Sequence, residues 1–548
     1  MAATDTTTSS ALPALSLRAW RLAPVLAAAL AGTVYLMLAP KTGDLPAHVF
    51  RAKLFGRAPF TVWNGNWYGG HHTPAYSVLF PPLAWLLGPA VAGTLAALGA
   101  AAAFEPLARW HFGSRARWGA LWFGVGTSSM LLDGQLPFVL GVALGLVALL
   151  AMQRGVTWLA VLLALLCPLG SPVAGMFLAL AALAYALGKL VWPPRLEPER
   201  LRAVRPAVLV GLAAFLPPIL LALAFPEGGQ QPYALSAFIP VPVAALGFVL
   251  LLSKEDRMLR TGAAIYGLGA LAAFALPTPF GGNASRLGTV FGGPLAACVA
   301  LGPRRPALRP LVVAVLLLGL AYWQFGASVR NVSSEDASRY TSYYHPLLEF
   351  LEAHKKPPGR LEVVFTHSNW DAADVGIHWP LARGWERQLD VSRNSLFYDD
   401  DHTLNARTYE RWLDENAVRW VALPDVALDY SAKREAQLVR GGLPYLALRW
   451  RSAHWRVYEV MSPHPLVVPQ GRARISAGAL ATTRVRLRVE RPGSAIVRVH
   501  WTPYWIAHGA CVERAGTWTR VIASKPGNLL LRIEFSLERM FEHGRRCN

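Results

Sequence analysis

Apolar residues along this chain fall into long, nearly unbroken runs rather than at the three-to-four-residue spacing of an amphipathic helix. The runs lie near 19–39, 76–104, 116–132, 136–152, 156–169, 171–188, 206–225, 234–252, 261–277, 286–302 and 309–328. A perpendicular span needs about 20 such residues, so the shorter runs leave the breaks between 116 and 188 open. The pattern predicts an α-helical polytopic membrane domain over 19–330, with about eleven spans and a short N-terminal tail at 1–18. The first run is too long for a signal-peptide core and lacks a convincing cleavage site, so it reads as retained.

Past residue 331 the pattern becomes that of a soluble protein. Positions 340–355, 406–415 and 433–440 read as helices, and 361–365 and 418–423 as strands, which suggests an α/β unit over 331–460. Beyond it, 483–489, 495–501, 517–523 and 529–535 alternate with period two between glycine and proline turns. That alternation predicts a β-sandwich over 461–548.

Charge fixes an expected orientation. Basic residues gather in alternate loops, among them Arg21, Arg109, Arg117, Arg154, Lys189, Arg195, Arg205, Lys254, Arg260, Arg304 and Arg305. The opposite loops carry only Lys41, Arg51, Lys53, Arg57 and Arg286. Positive-inside bias then places the N-terminus in the cytoplasm of a multi-pass plasma-membrane protein, and an odd span count places 331–548 outside. The formal charge of +20 is explained by these loops, so no nucleic-acid partner is expected. Only 16% of residues are charged and 53% are hydrophobic, a composition that makes the lipid bilayer the first partner.

Of four cysteines, Cys167 and Cys298 lie in or beside apolar runs. Cys511 and Cys547 lie in the C-terminal region, where an extracytoplasmic setting allows a disulfide. No C-x-x-C occurs, so the cysteines give a metal or redox site no support.

The first outer loop, 41–75, holds the densest chemistry. Asp44 follows the first span, and Pro46 suits the opening turn of a helix, so Asp44 is a candidate N-cap. Asp44 and His48 are then four apart on one face, where a carboxylate and an imidazole could share proton transfer or bind a divalent cation. The bland reading is a cap and a solvated neighbour. Trp63, Asn64, Trp67, Tyr68, His71 and His72 follow; Trp63, Trp67 and Tyr68 fit an interfacial aromatic belt. Adjacent histidines on a regular element point apart, so His71 and His72 read better as a polar loop than as metal ligands.

Gly282, Asn283 and Arg286 form a second candidate, because glycines let backbone approach a ligand and a guanidinium at headgroup depth suits a phosphate. The alternative is a headgroup anchor. Asp133-Gly134-Gln135 and Glu227–Gln230 are further polar loops on that side. In the tail, Trp501, Tyr504, Trp505 and Trp518 could stack on sugar rings or simply form core.

The order Gly43-Asp44, His48, Trp63-Asn64, Trp67-Tyr68-Gly69, Tyr76 and Pro81-Pro82 resembles the first-loop region of bacterial members of the GT-C superfamily of polyprenyl-phosphate-sugar-dependent glycosyltransferases. Gly134-Gln135, Gly141, Ser171 to Gly175, and Gly282-Asn283 with Arg286-Leu287 extend the likeness over about 20–330. The resemblance implies a GT-C-like membrane domain in which Asp44 is the catalytic acidic residue. It implies that a polyprenyl-phosphate-linked sugar is the donor, with its phosphate steadied by Arg286 and His48, and that an envelope glycan or lipid is the acceptor. Asp133, Gln135, Asn64 and the first-loop aromatics and histidines are then candidate substrate-loop residues. No carboxylate stands adjacent to Asp44, where many members pair two. A transporter and a non-catalytic envelope assembly or sensing protein remain open as rival readings; few ionisable residues in the spans weigh against transport.

Overall fold

A computed structural model describes residues 14–41, 43–190, 198–300, 309–333, 336–399, 403–541 and 544–547. Most of the N-terminal tail, together with Arg195, Arg304 and Arg305 among the inner-loop cations, lies outside the described residues.

A helix occupies each of the eleven predicted runs. In chain order the membrane half contains α1 (Ala14–Leu38), α2 (Leu45–Arg57), α3 (Phe80–Leu87), α4 (Pro89–Phe112), α5 (Arg117–Leu132), α6 (Leu136–Gln153) and α7 (Thr157–Gly170). It continues with α8 (Pro172–Leu190), α9 (Pro198–Ala224), α10 (Leu235–Phe238), α11 (Pro240–Leu251), α12 (Arg257–Ala275), α13 (Ser285–Ala300) and α14 (Pro310–Ser333). Seven helices among the described residues are long and apolar enough to cross a membrane. Of the remaining runs, α5, α7, α11 and α13 are shorter than a perpendicular span. Large apolar side chains such as Leu30, Leu86, Leu220, Val243 and Leu318 point outward. An exterior of this kind is stable in hydrocarbon, and the chain is a multi-pass membrane protein.

Two predicted runs are broken. The run at 76–104 divides into α3 and α4 at Gly88, whose φ of +83° is followed by Pro89. The run at 234–252 divides at Pro240 into α10 and α11. Among the described residues, the α4 carboxylate Glu105 is buried within a span and paired at 2.8 Å with Arg109.

Between α2 and α3 the first outer loop forms a two-residue ribbon, β1 (Trp63–Asn64) against β2 (His71–His72). The C-terminal half then carries its own β-sheets in two groups. The first carries a four-stranded sheet of order β3-β4-β6-β5, where β3 is Arg360–Val363, β4 Val418–Pro424, β5 Leu446–Arg451 and β6 Trp455–Val460. β3 and β4 are parallel and the rest antiparallel. Helices His345–Ala353, Ala406–Glu415 and Lys433–Gly441 lie close to their predicted bounds. Ala406–Glu415 opens with a capping box from Asn405 and Thr408.

The second unit is a sandwich. Its strands are β7 (Val467–Pro469), β8 (Arg474–Ala481), β9 (Arg484–Arg491), β10 (Gly493–His500), β11 (Trp505–Ala507), β12 (Ala510–Ala515), β13 (Trp518–Ala523), β14 (Gly527–Ile533) and β15 (Arg546–Cys547). One sheet runs β15-β12-β13-β10-β7 and the other β11-β14-β9-β8. Their inner faces share a core of Val485, Leu487, Val497, Val512, Val521 and Leu531. Cys511 and Cys547 face each other across β12 and β15 and are disulfide-bonded. Tyr504 and Trp505 are core residues, and Trp518 lies against His500.

Candidate functional site

Two separate polar loops meet where α2 begins. Gly43 has φ +58°, and a Cβ there would lie 1.9 Å from the Asp133 carbonyl oxygen, so only glycine fits. The Asp44 amide then donates to that same carbonyl at 3.0 Å. Asp44 occupies the N-cap position of α2, but its side chain makes no capping hydrogen bond. Its carboxylate instead turns to Arg286, whose Nη2 donates at 3.3 Å.

Arg286 stands in the first turn of α13, and its backbone is held from several sides. Gly281 packs against the Gln231 carbonyl, where a Cβ would come within 1.9 Å. The Tyr266 hydroxyl donates to the Ala284 carbonyl at 2.8 Å and accepts from the Gly288 amide at 3.0 Å. The guanidinium also faces the Phe138 ring at 5.5 Å.

Arg286 lines a cavity of about 1490 Å³ bounded mainly by α11, α13 and α14. Asp133, Gln135, Asn283, Gly282 and Arg330 share the end where α13 begins and α14 finishes. The other walls are mainly apolar, with Val243, Gly247, Phe248, Val313, Leu316 and Leu320. Val243 and Leu316 are exposed on the outer surface of the bundle. The site is therefore an apolar groove with a charged head. Asp44 does not line it but touches it through Arg286.

Asp133 is the second carboxylate of this head. Burial raises it to about 6 and the nearby Asp44 charge adds to that, against hydrogen bonding from Ser328 and Asn331 and the pull of Arg286. Arg330, in the last turn of α14, carries no local mark of function in the sequence. It ends an apolar run and reads there as an ordinary helix-end cation.

His48 departs from expectation. Its ring is buried against Tyr76 and Phe80, each at 5.7 Å between centroids. Burial, reinforced by Arg51 and Arg286, drives the imidazole well below its usual range. That burial favours the neutral imidazole over a phosphate-steadying cation.

The remaining first-loop candidates are not at the groove. Trp63, Trp67 and Tyr68 are almost wholly buried, which overturns the aromatic-belt expectation. They plug the C-terminal half onto the membrane half. Trp67 Nε1 donates to the Ala372 carbonyl at 3.2 Å, and the Tyr68 hydroxyl accepts from the Glu386 amide at 2.9 Å. The Asn64 amide faces His71 Nε2 at 3.0 Å. His71 stacks on Trp67, while His72 contacts Glu227 at 2.7 Å and Thr502 at 2.9 Å. Glu227 also pairs with Arg393 at 2.8 Å, and Arg51 with Glu386 at 2.8 Å. Burial lowers His71 to about 3. Burial alone would raise Glu227, but Arg393 and His72 hold it at about 2. Nothing local in the sequence joins Glu227 to Arg393, which lies 166 residues further along the chain.

No family model matches the chain. No curated protein matches it by sequence. Among solved structures, the fold is similar to arabinofuranosyltransferase AftD from Mycobacteria, at 12% identity and a TM-score of 0.43, over 97% of this chain and 60% of that one. The chain thus spans less than two thirds of AftD. It is also similar to the archaeal oligosaccharyltransferase AglB from Archaeoglobus fulgidus, a structure with an inhibitory peptide and a dolichol-phosphate, at 11% identity and a TM-score of 0.44, over 95% and 94% of the two chains.

Proposed function

We propose that the chain is a membrane glycosyltransferase of GT-C type, which moves a sugar from a polyprenyl phosphate to an envelope glycan or lipid on the outer face of the plasma membrane. One observation carries this reading: the Asp44–Arg286 pair at the charged head of a groove open to lipid. A polyprenyl tail suits the apolar walls between α11 and α14, and its phosphate then lies beside Arg286 and Arg330.

In this reading the phosphate competes with Asp44 for the Arg286 guanidinium. The freed carboxylate accepts the proton of an acceptor hydroxyl as that oxygen attacks the anomeric carbon. The bond from that carbon to the phosphate oxygen breaks, and the lipid phosphate leaves with the bonding electrons, steadied by the two arginines. Asp133, largely buried beside Asp44, orients the acceptor. The cytoplasmic N-terminus and outer C-terminal half rest on the loop charges.

The test is transfer from a panel of radiolabelled polyprenyl-phosphate sugars by the full chain in proteoliposomes. Label moving to acceptor with the wild-type chain and not with Asp44→Asn supports the reading. Equal transfer by both, with both correctly folded, overturns it.

A further inference from the structure

The outer face of the sheet β11-β14-β9-β8 carries a row of arginines that the proposed reaction does not use. Along β9 the buried residues are Val485, Leu487 and Val489, while Arg484, Arg486 and Arg488 face solvent between them. Side chains two apart on a strand share a face, so these guanidinium groups stem from the backbone about every 7 Å. Register extends the row sideways. Arg484 is opposite Arg532 on β14, Arg486 opposite Leu530 and Arg488 opposite Asn528. On the other flank β8 offers only the small residues Ala481, Ala479 and Ser476. Arg472, Arg474 and Arg491 continue the exposed basic surface at the far end.

This charge is poorly neutralised. Glu490 lies 3.9 Å from Arg488 and Glu534 lies 3.0 Å from Arg532. Among the described residues, no carboxylate lies within ion-pair distance of Arg484, Arg486, Arg474 or Arg491. Like charges on one sheet face repel and are destabilising where they stand opposite, so the row favours an external anion.

The row also has a direction. At its Arg484 end, the β8–β9 turn meets the first outer loop: the Gly65 amide donates to the Thr482 carbonyl at 2.7 Å, and Thr482 contacts Asn66. Beyond β14, Phe535 packs on Phe225 at the end of α9. The arginines therefore lead from the first outer loop away along β9, over about 23 Å.

We propose that this face binds an extended acidic glycan, carrying carboxylate or phosphate groups, and guides it toward the first outer loop. Spaced guanidinium groups match an anion repeated along a polymer. Single-stranded nucleic acid is matched less well, because the outward positions of β8, β9 and β14 hold no aromatic ring for a base to stack on. An anionic bilayer would engage only the Arg484 end, nearest α9. That the glycan is the acceptor rests on the transferase reading; the binding does not.

The experiment measures binding of fluorescent oligogalacturonate to the full chain in nanodiscs of neutral lipid, against dextran oligomers of equal length. Arg484→Thr/Arg486→Thr/Arg488→Thr removes the row while keeping residues that favour strands. The expected result is salt-sensitive binding of oligogalacturonate and not of dextran, weakened at least tenfold in the triple variant, with its thermal unfolding midpoint unchanged. Replacing the three with lysine should restore part of the affinity. Equal binding of the two glycans, or unchanged affinity in the triple threonine variant, overturns the proposal. So does stronger row-dependent binding to phosphatidylglycerol vesicles or single-stranded DNA than to the glycan. Because no sugar transfer is read, failure of the transferase reading leaves this measurement unaffected.

Discussion

Asp44 sits at the N-cap of α2 yet gives its carboxylate to Arg286, 3.3 Å away and 242 residues along the chain. Its side chain makes no capping bond, and the acid is held beside the groove. Asp44→Asn should keep the fold and cut sugar transfer by about 10²-fold or more, the usual contribution of a positioned base. Arg286→Gln should act mainly by weakening capture of the phosphate. Single-turnover assays in proteoliposomes separate the two.

The groove itself can be filled. Gly247 lines it, and a Cβ there meets nothing within 4 Å. Gly247→Trp should therefore fold normally and raise KM for a polyprenyl donor severalfold, with a smaller effect on kcat. A short-chain donor should be less affected.

The docking of the first loop depends on close packing. A Cβ on Gly384 would fall 2.4 Å from Cγ of Trp67. Gly384→Ala should cost about 1–3 kcal/mol, typical of overpacking. Faster limited proteolysis between 331 and 390 is the expected readout, with the isolated sandwich core unaffected.

Acid should loosen the same junction. His71 is lowered from its ordinary value near 6.5 to about 3, and Glu227 from about 4.5 to about 2. Both bind protons more readily when unfolded, so each stabilises fully above its unfolded value and loses this as pH falls through the folded one. Hydrogen exchange at 63–72 should accelerate between about pH 6 and pH 3. Glu227→Gln should remove the part of the response below about pH 4.5.

The α/β unit should respond in the opposite sense. Burial raises Glu435 to about 7 beside Arg383, and burial with the nearby Glu435 charge raises Glu362 well above its ordinary value. A raised carboxyl binds its proton more tightly when folded, so stability is greatest below about 4.5 and falls as pH rises toward about 7. The loss is on the order of 3 kcal/mol. Glu435→Gln should flatten this slope in denaturant titrations from pH 5 to pH 8.

Much of the architecture was legible in the chain itself. Runs of apolar residues locate helices because backbone in lipid must satisfy its own hydrogen bonds, and 418–423 and 483–489 announce strands by composition and alternation. Short strands such as β7 and β11 gave no such signal, because two or three residues cannot establish a period. Asp44, Asp133 and Arg286 could each be named from sequence, as polar exceptions at the ends of apolar runs. Their meeting could not, since it depends on Gly43 lying against the Asp133 backbone and on α13 packing beside α2's entry. The first-loop aromatics show the same limit from the other side. Trp67 and Tyr68 look like membrane anchors until the C-terminal half closes over them, because what buries a side chain is set by residues hundreds of positions away. Sequence determined where the chain enters lipid; only packing decided which loops share a site.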